Sequence, residues 1–292
     1  MREILEKIAE VDYYVRWYSN QHDLGMWPSR QIGGTADFEA IAEYQFGDNP
    51  RSINWSATAR TGFHQILKNT RLIETNLAVF LLVDLSHSMD FGTIRMTKRR
   101  LAAEISAVLA HAAWRCGDRV GFIGYGSKVE VEWPLRNPKD YRFLIPQKIL
   151  ETKAPRNGQA GLSPALLRLP TKRSLAFLIS DFQDDLGEID RALNLVARLH
   201  DVVSIVLRDP REKVLPEKRC IAVFKDLETG ARRTVLFGAT NTGSFQENAE
   251  AQERHLKELF QRLRMDGLWI HQETHYVPEI SQLFLARRRQ RR

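Results

Sequence analysis

Leu77-Ala78-Val79-Phe80-Leu81-Leu82-Val83-Asp84-Leu85-Ser86-His87-Ser88 is the stretch that decides how this chain folds. Leu77 to Val83 is an unbroken apolar run of seven residues. A membrane span needs about 20 such residues, so the run reads as a strand. It lacks the alternation of a half-exposed strand. Continuous apolar character belongs to strands covered on both faces, as in parallel sheets. The run stops at Asp84, and the loop that follows carries one carboxylate and two hydroxyls at alternate positions.

Downstream, strands and helices alternate. Lys98–Cys116 has Leu101, Ile105, Val108, Leu109 and Ala112 at helical spacing, and Gly117 ends it. Val120–Tyr125 is the next strand, and Val129–Trp133 an antiparallel edge strand after the turn Gly126-Ser127-Lys128. Helices follow at Lys139–Leu150 and Ser163–Leu169, the latter with Ser163 as cap. Leu175–Ser180, the helix Ile189–Leu199 and the strand Val202–Leu207 continue the pattern. Residues 208–240 read as a β-rich insertion with strands Cys220–Phe224 and Thr234–Phe237. Helix Phe245–Met265, strand Leu268–His271 and helix Pro278–Arg287 close the chain. The order predicts an α/β fold with a doubly wound, mostly parallel sheet. Upstream, residues 1–24 read as a helix, 25–62 as turn-rich and irregular, and Thr70–Thr75 as a polar lead-in. The expected division is therefore 1–75 and 76–292.

In such sheets ligands bind beyond the carboxyl ends of the strands. Asp84, Ser86 and Ser88 lie there, and Asp181 ends the matching strand Leu175–Ser180. Mg²⁺ takes six oxygens and keeps several waters, so these residues can supply a partial shell. The alternative is that Asp84, Ser86 and Ser88 only cap the following turn.

The 292 residues are 43% hydrophobic and 27% charged, which excludes wholesale disorder. Two cysteines, Cys116 and Cys220, make no disulfide framework. The net charge is +7, but five arginines lie in the last six residues, Arg287 to Arg292. The rest of the chain is near neutral, which argues against a whole-surface nucleic-acid binder. No phosphate-binding Gly-x-x-x-x-Gly-Lys loop and no Gly-x-Ser-x-Gly elbow occurs, so the expectation is a non-enzymatic protein. His271 and His275 on a strand lie about 13 Å apart, too far for one zinc. With no signal core and no spanning segment, the expected location is cytoplasmic.

Asp84-x-Ser86-x-Ser88 with Asp181 resembles the metal-ion-dependent adhesion site of von Willebrand factor type A domains. The wider sequence resembles a narrower group. Phe46-Gly47-Asp48-Asn49-Pro50-Arg51-Ser52-Ile53-Asn54-Trp55 with Ala59-Arg60, Asp84-Leu85-Ser86-His87-Ser88-Met89 with Phe91-Gly92, Gly117-Asp118-Arg119-Val120-Gly121, Ser180-Asp181-Phe182, and Asp209-Pro210-Arg211-Glu212 occur in order. Together they are similar to the domain of unknown function 58 family, von Willebrand A-like proteins often encoded beside MoxR AAA+ ATPases.

That resemblance implies a von Willebrand A-like sheet and a protein-interaction module for a MoxR-type AAA+ ATPase, with a chaperone-like or cofactor-insertion role. It implies Mg²⁺ held by Asp84, Ser86 and Ser88, with Asp181 behind them and an open position for a partner carboxylate. It adds Asp209, Arg211 and Glu212 to the same rim, and Asp48, Arg51, Trp55 and Arg60 to a bracing or interfacial segment. The chain departs from the pattern at Ala160, where a metal-binding threonine is usual, and at Ala42, Asn49 and Asn54. A second reading, a nucleic-acid or anionic-surface binder acting through the arginine tail, stays open beside it.

Overall fold

The computed structural model describes residues 37–44, 50, 53–62, 64–73, 77–137, 139–153, 161–212, 221–225, 232–236, 239–271 and 276–289. The helix expected over 1–24 lies outside them. The chain forms two compact units, one within residues 31–76 and the other from Leu77 onward.

In the smaller unit, β1 (Asp37–Glu43) pairs antiparallel with β2 (Leu67–Ile73), with Ala40 opposite Thr70. Helix α1 (Trp55–Arg60) lies between them in sequence. Thr58 joins helix to strand, its hydroxyl accepting from the Leu67 amide at 2.9 Å. This corrects the expectation of an irregular segment and a polar lead-in. Among the described residues β1 and β2 form a two-stranded sheet, and such strands need no continuous apolar run, so neither carries the signature that marks a strand buried on both faces.

The larger unit is built on six strands: β3 (Ala78–Asp84), β4 (Arg119–Tyr125), β5 (Val129–Arg136), β6 (Leu175–Ser180), β7 (Asp201–Arg208) and, near the end, β10 (Asp266–His271). Their order across the sheet is β10-β7-β6-β3-β4-β5, with every pair parallel except β4–β5. The strand expected at the antiparallel edge is β5.

Successive residues of β3 point to opposite faces, and each face has its own core. Val79, Leu81 and Val83 pack with α2 (Lys98–Arg115), α3 (Tyr141–Glu151) and α7 (Tyr276–Arg289), through side chains such as Leu101, Ile105, Ile145, Ile280 and Phe284. Phe80 and Leu82 pack on the other side with α4 (Leu162–Leu166), α5 (Leu186–Ala197) and α6 (Ala239–Arg262), through Leu166, Leu193, Leu256 and Phe260. Double coverage explains the unbroken apolar run. Full burial of each such side chain contributes about 1.5–3 kcal/mol.

Helix α2 ends where Gly117 takes φ +78°, and the amide of Asp118 then donates to the Ala113 carbonyl at 2.9 Å. The Asp118 carboxylate turns back and accepts from the Leu77 amide at 2.8 Å, fixing the start of β3. Helix α4 is capped by Gly161 and not by Ser163. A Cβ at Gly161 would meet the Ser127 carbonyl oxygen at 2.8 Å, so only glycine lets the chain pass there before turning into the helix. The insertion between β7 and α6 contains a two-stranded antiparallel ribbon, β8 (Ile221–Lys225) and β9 (Arg232–Leu236).

Candidate functional site

Strands β3, β6 and β7 end side by side. Val83 pairs with Ile179, and Ser180 with Val206. The loops leaving them bring together Asp84, Ser86, Ser88, Asp181, Asp209 and Glu212. Asp84 is 1% exposed. Its Oδ1 accepts from the Ser86 amide and its Oδ2 from the Ser180 hydroxyl, both at 2.8 Å. The Ser180 oxygen accepts in turn from the Phe182 amide at 2.9 Å. Burial pushes the Asp84 carboxyl up to about 6, and the charge of Asp181 adds to the rise, against the hydrogen bonds from Ser86 and Ser180.

Ser86 occupies the cap position of a short 3-10 turn, His87–Asp90, but its hydroxyl does not cap it. It meets the Ser88 hydroxyl instead, at 2.9 Å. The capping alternative is therefore not what the Ser86 side chain does.

Three cations that the sequence reading did not single out hold this rim together. Lys98 opens α2 with its side chain buried, and its Nζ donates to Asp181 Oδ2 at 2.5 Å and to Glu212 Oε1. Burial alone lowers a lysine, but the charges of Asp181 and Glu212 outweigh it and raise Lys98 above its ordinary value. Arg99 donates to Asp90 and to the carbonyls of Leu85 at 3.0 Å and Ser86 at 3.2 Å, clamping the loop after β3. Arg208, at the end of β7, donates to the Asp181 carbonyl at 2.7 Å.

A signal for two of them was present. Lys98-Arg99-Arg100 follows the cap residue Thr97, which accepts from the Arg100 amide at 3.2 Å. A helix N-terminus disfavours cations. Three in its first turn require acidic or carbonyl partners nearby.

Asp209 is 1% exposed and faces inward. It accepts from the Thr93 amide at 2.7 Å, the Thr93 hydroxyl at 2.6 Å and the Arg211 amide at 2.8 Å. It therefore ties the loop after β7 to the loop after β3, and of the trio Asp209, Arg211 and Glu212 only Arg211 is exposed. Ile94 and Arg95, next to the tethered Thr93, are also exposed.

These contacts test the Mg²⁺ site that the sequence suggests. Asp181 already bears an ammonium at 2.5 Å, and a divalent ion placed on it would face that positive charge. Both Asp84 oxygens accept from protein donors. At Asp181 the donor set is matched by the Lys98 ammonium and not by a Mg²⁺ ion. Ala160 lies outside the described residues.

Of the other predicted residues, Asp48 and Arg51 also lie outside the described residues. Trp55 begins α1 and is 63% exposed, and Arg60 is exposed in its last turn. Asn54 caps this helix, accepting from the Ala57 amide at 2.9 Å, as an acidic residue there would. Arg287, read as the first cation of a solvated tail, is buried. It donates to Asp201 at 2.8 Å and Asp266 at 2.5 Å.

Comparison with known proteins bears on the same segments. Residues 40–255 match the family described as "Protein of unknown function DUF58". The chain belongs to the DUF58 family. The uncharacterized protein Mb1516 of Mycobacterium bovis is 29% identical over 255 residues, covering 84% of this chain and 78% of its own. Among solved structures the chain is similar to BatB, a conserved hypothetical protein from Bacteroides thetaiotaomicron, at 12% identity and TM-score 0.47, over 73% of this chain and 99% of that one. An aerotolerance-related membrane protein from Bacteroides fragilis gives 12% and 0.46, over 72% and 99%. A von Willebrand factor type A structure from Catenulispora acidiphila gives 18% and 0.36, over 49% and 35%.

The fold of this DUF58 protein is one mostly parallel six-stranded sheet with a single antiparallel edge strand, the sheet that the sequence resemblance to von Willebrand A domains implied. One expectation is corrected. The sequence reading placed the chain in the cytoplasm, whereas a similar structure is that of a membrane protein, and the cytoplasmic placement is withdrawn. Among the described residues no helix is long and apolar enough to cross a membrane.

Proposed function

We propose that this DUF58 protein is a non-enzymatic interaction module whose contact surface is the rim at the carboxyl ends of β3, β6 and β7. The partner class is a MoxR-type AAA+ ATPase, which rests on the family resemblance, as does a chaperone-like or cofactor-insertion role. The observation that supports the rim is the bracing of Thr93 by Asp209, 116 positions away in sequence. It holds Ile94 and Arg95 outward at 52% exposure for the isoleucine, with Arg211 exposed on the other braced loop. An exposed aliphatic side chain with two guanidinium groups on pre-ordered loops suits an acidic protein surface with an apolar recess. Arginine is favoured in such contacts because its planar fork pairs with carboxylates bidentately.

The test is a binding titration of a purified MoxR-type ATPase from the same genome against the full chain. Ile94→Asp and the double reversal Arg95→Glu/Arg211→Glu are expected to weaken binding tenfold or more, about 1.4 kcal/mol at least. Unchanged binding by both variants would remove the rim from the interaction. Absence of binding by the wild type would remove the partner class.

A further inference from the structure

The Lys98–Asp181–Glu212 cluster carries an inference that does not depend on what the rim binds. An ammonium is a compact, hard, strongly hydrated cation with three donors. Lys98 directs two of them at carboxylates from different strand ends: Asp181 follows β6, and Glu212 lies in the turn after β7. Its own helix, α2, begins after the loop that leaves β3. One positive charge thus joins three segments at the carboxyl ends of the central strands. Its side chain and that of Asp181 are 1% and 2% exposed, so the pair works at low dielectric, where it interacts far more strongly than in water. The position is costly for a cation twice over, being the first residue of a helix and buried. The two carboxylates offset both costs. Arg208 adds a hydrogen bond to the Asp181 carbonyl, and Glu212 also accepts from the Asp209 amide at 3.1 Å.

We infer that the Lys98 ammonium performs at this rim the bridging that a divalent ion performs in the adhesion-site pattern, so that the rim is closed without metal. Both aspartates of the pattern are retained; Asp181 takes its counter-charge from the chain itself, at Lys98, and Asp84 is held by the Ser86 amide and the Ser180 hydroxyl. Replacing Lys98 by an uncharged side chain leaves Asp181 and Glu212 facing each other without a cation. That variant alone acquires a demand for Mg²⁺.

The test uses the full chain and two readouts. Manganese titration followed by electron paramagnetic resonance is expected to show no saturable binding by the wild type up to millimolar ion. Its melting temperature is expected to be the same in millimolar Mg²⁺ and in EDTA. Lys98→Met, which keeps the length of the stem, is expected to melt lower in EDTA and to regain part of the loss in Mg²⁺, whereas Asp181→Asn in the same background abolishes the regain. Stoichiometric manganese binding by the wild type, lost in Asp84→Ala, overturns the inference, as does a wild-type melting temperature that rises with Mg²⁺. A soluble Lys98→Met that ignores Mg²⁺ also overturns it. If that variant does not fold, the two wild-type measurements decide.

Discussion

Lys98 and Asp181 form an ion pair at 2.5 Å, with side chains 1% and 2% exposed, between the start of α2 and the residue that follows β6. They are 83 positions apart in sequence. A pair so deeply buried stabilises little relative to a well-packed apolar pair, because both ions lose their hydration. Breaking it is a different matter, because the surviving charge is left in the interior. The pair therefore specifies which helix end meets which strand end.

Removing one partner is expected to cost about 3–5 kcal/mol. Lys98→Met should lower the urea midpoint accordingly. Adding Asp181→Leu to it should recover much of the loss, since the two substitutions share one contact and do not add. A double variant as unstable as the sum of the singles would contradict this description.

Asp118 sets a pH dependence. Burial pushes its carboxyl from 3.8 up to about 7, although the hydrogen bond from the Leu77 amide works the other way. Between about pH 4 and 7 the folded chain holds a proton on Asp118 that the unfolded chain has released. Stability from this group therefore falls as pH rises through that window. Asp118→Asn keeps an oxygen to accept from Leu77 and has no proton to lose. Urea denaturation at several pH values should show the variant gaining on the wild type from pH 4 to pH 7, about 1.4 kcal/mol for each pH step across which the wild type alone titrates.

Arg287 joins the last helix to the starts of β7 and β10 through Asp201 and Asp266, and it is 7% exposed. Arg287→Met should destabilise the fold by about 3–5 kcal/mol. Arg287→Lys should fall between, because an ammonium cannot serve two carboxylates with the arginine fork. Both are read from thermal or urea melts. A neutral Arg287→Met would return this residue to the solvated tail.

Gly92 has no room for a side chain. A Cβ there would stand 2.6 Å from Thr97 Cα and closer still to the Met96 carbonyl oxygen. Both are backbone neighbours that cannot swing aside. Gly92→Ala should cost about 1–3 kcal/mol and loosen the turn that carries Ile94 and Arg95. Faster amide exchange over residues 93–97 is the measurement that checks it.

The sheet was legible because its central strands are covered on both faces, and Leu77–Val83, Val120–Tyr125 and Leu175–Ser180 show it as unbroken apolar runs. The loop carboxylates Asp84 and Asp181 were legible for the same reason, since a charge that ends such a run sits at the strand end. The hairpin Asp37–Glu43 with Leu67–Ile73 was not, because the consecutive polar residues Lys68-Asn69-Thr70-Arg71 resemble loop composition and neither segment alternates strictly. The partner of Asp181 was also missed. Helical periodicity counts Lys98 as the first residue of a helix and is silent on where its ammonium goes. What pairs it with Asp181 and Glu212 is the crossover topology, which places α2 over the ends of β6 and β7. The same limit made Arg287 read as tail, although it lies opposite two aspartates that begin parallel neighbouring strands.

In the proposed function a partner protein docks on the braced rim around Ile94, Arg95 and Arg211. Hydrogen exchange of the full chain, with and without a saturating MoxR-type ATPase, tests it most directly. Protection confined to the loops 85–97 and 208–212 is the predicted result. Protection confined to other surfaces, such as the exposed leucines 195 and 199 beyond β6, or none under conditions where the two proteins bind, would contradict it.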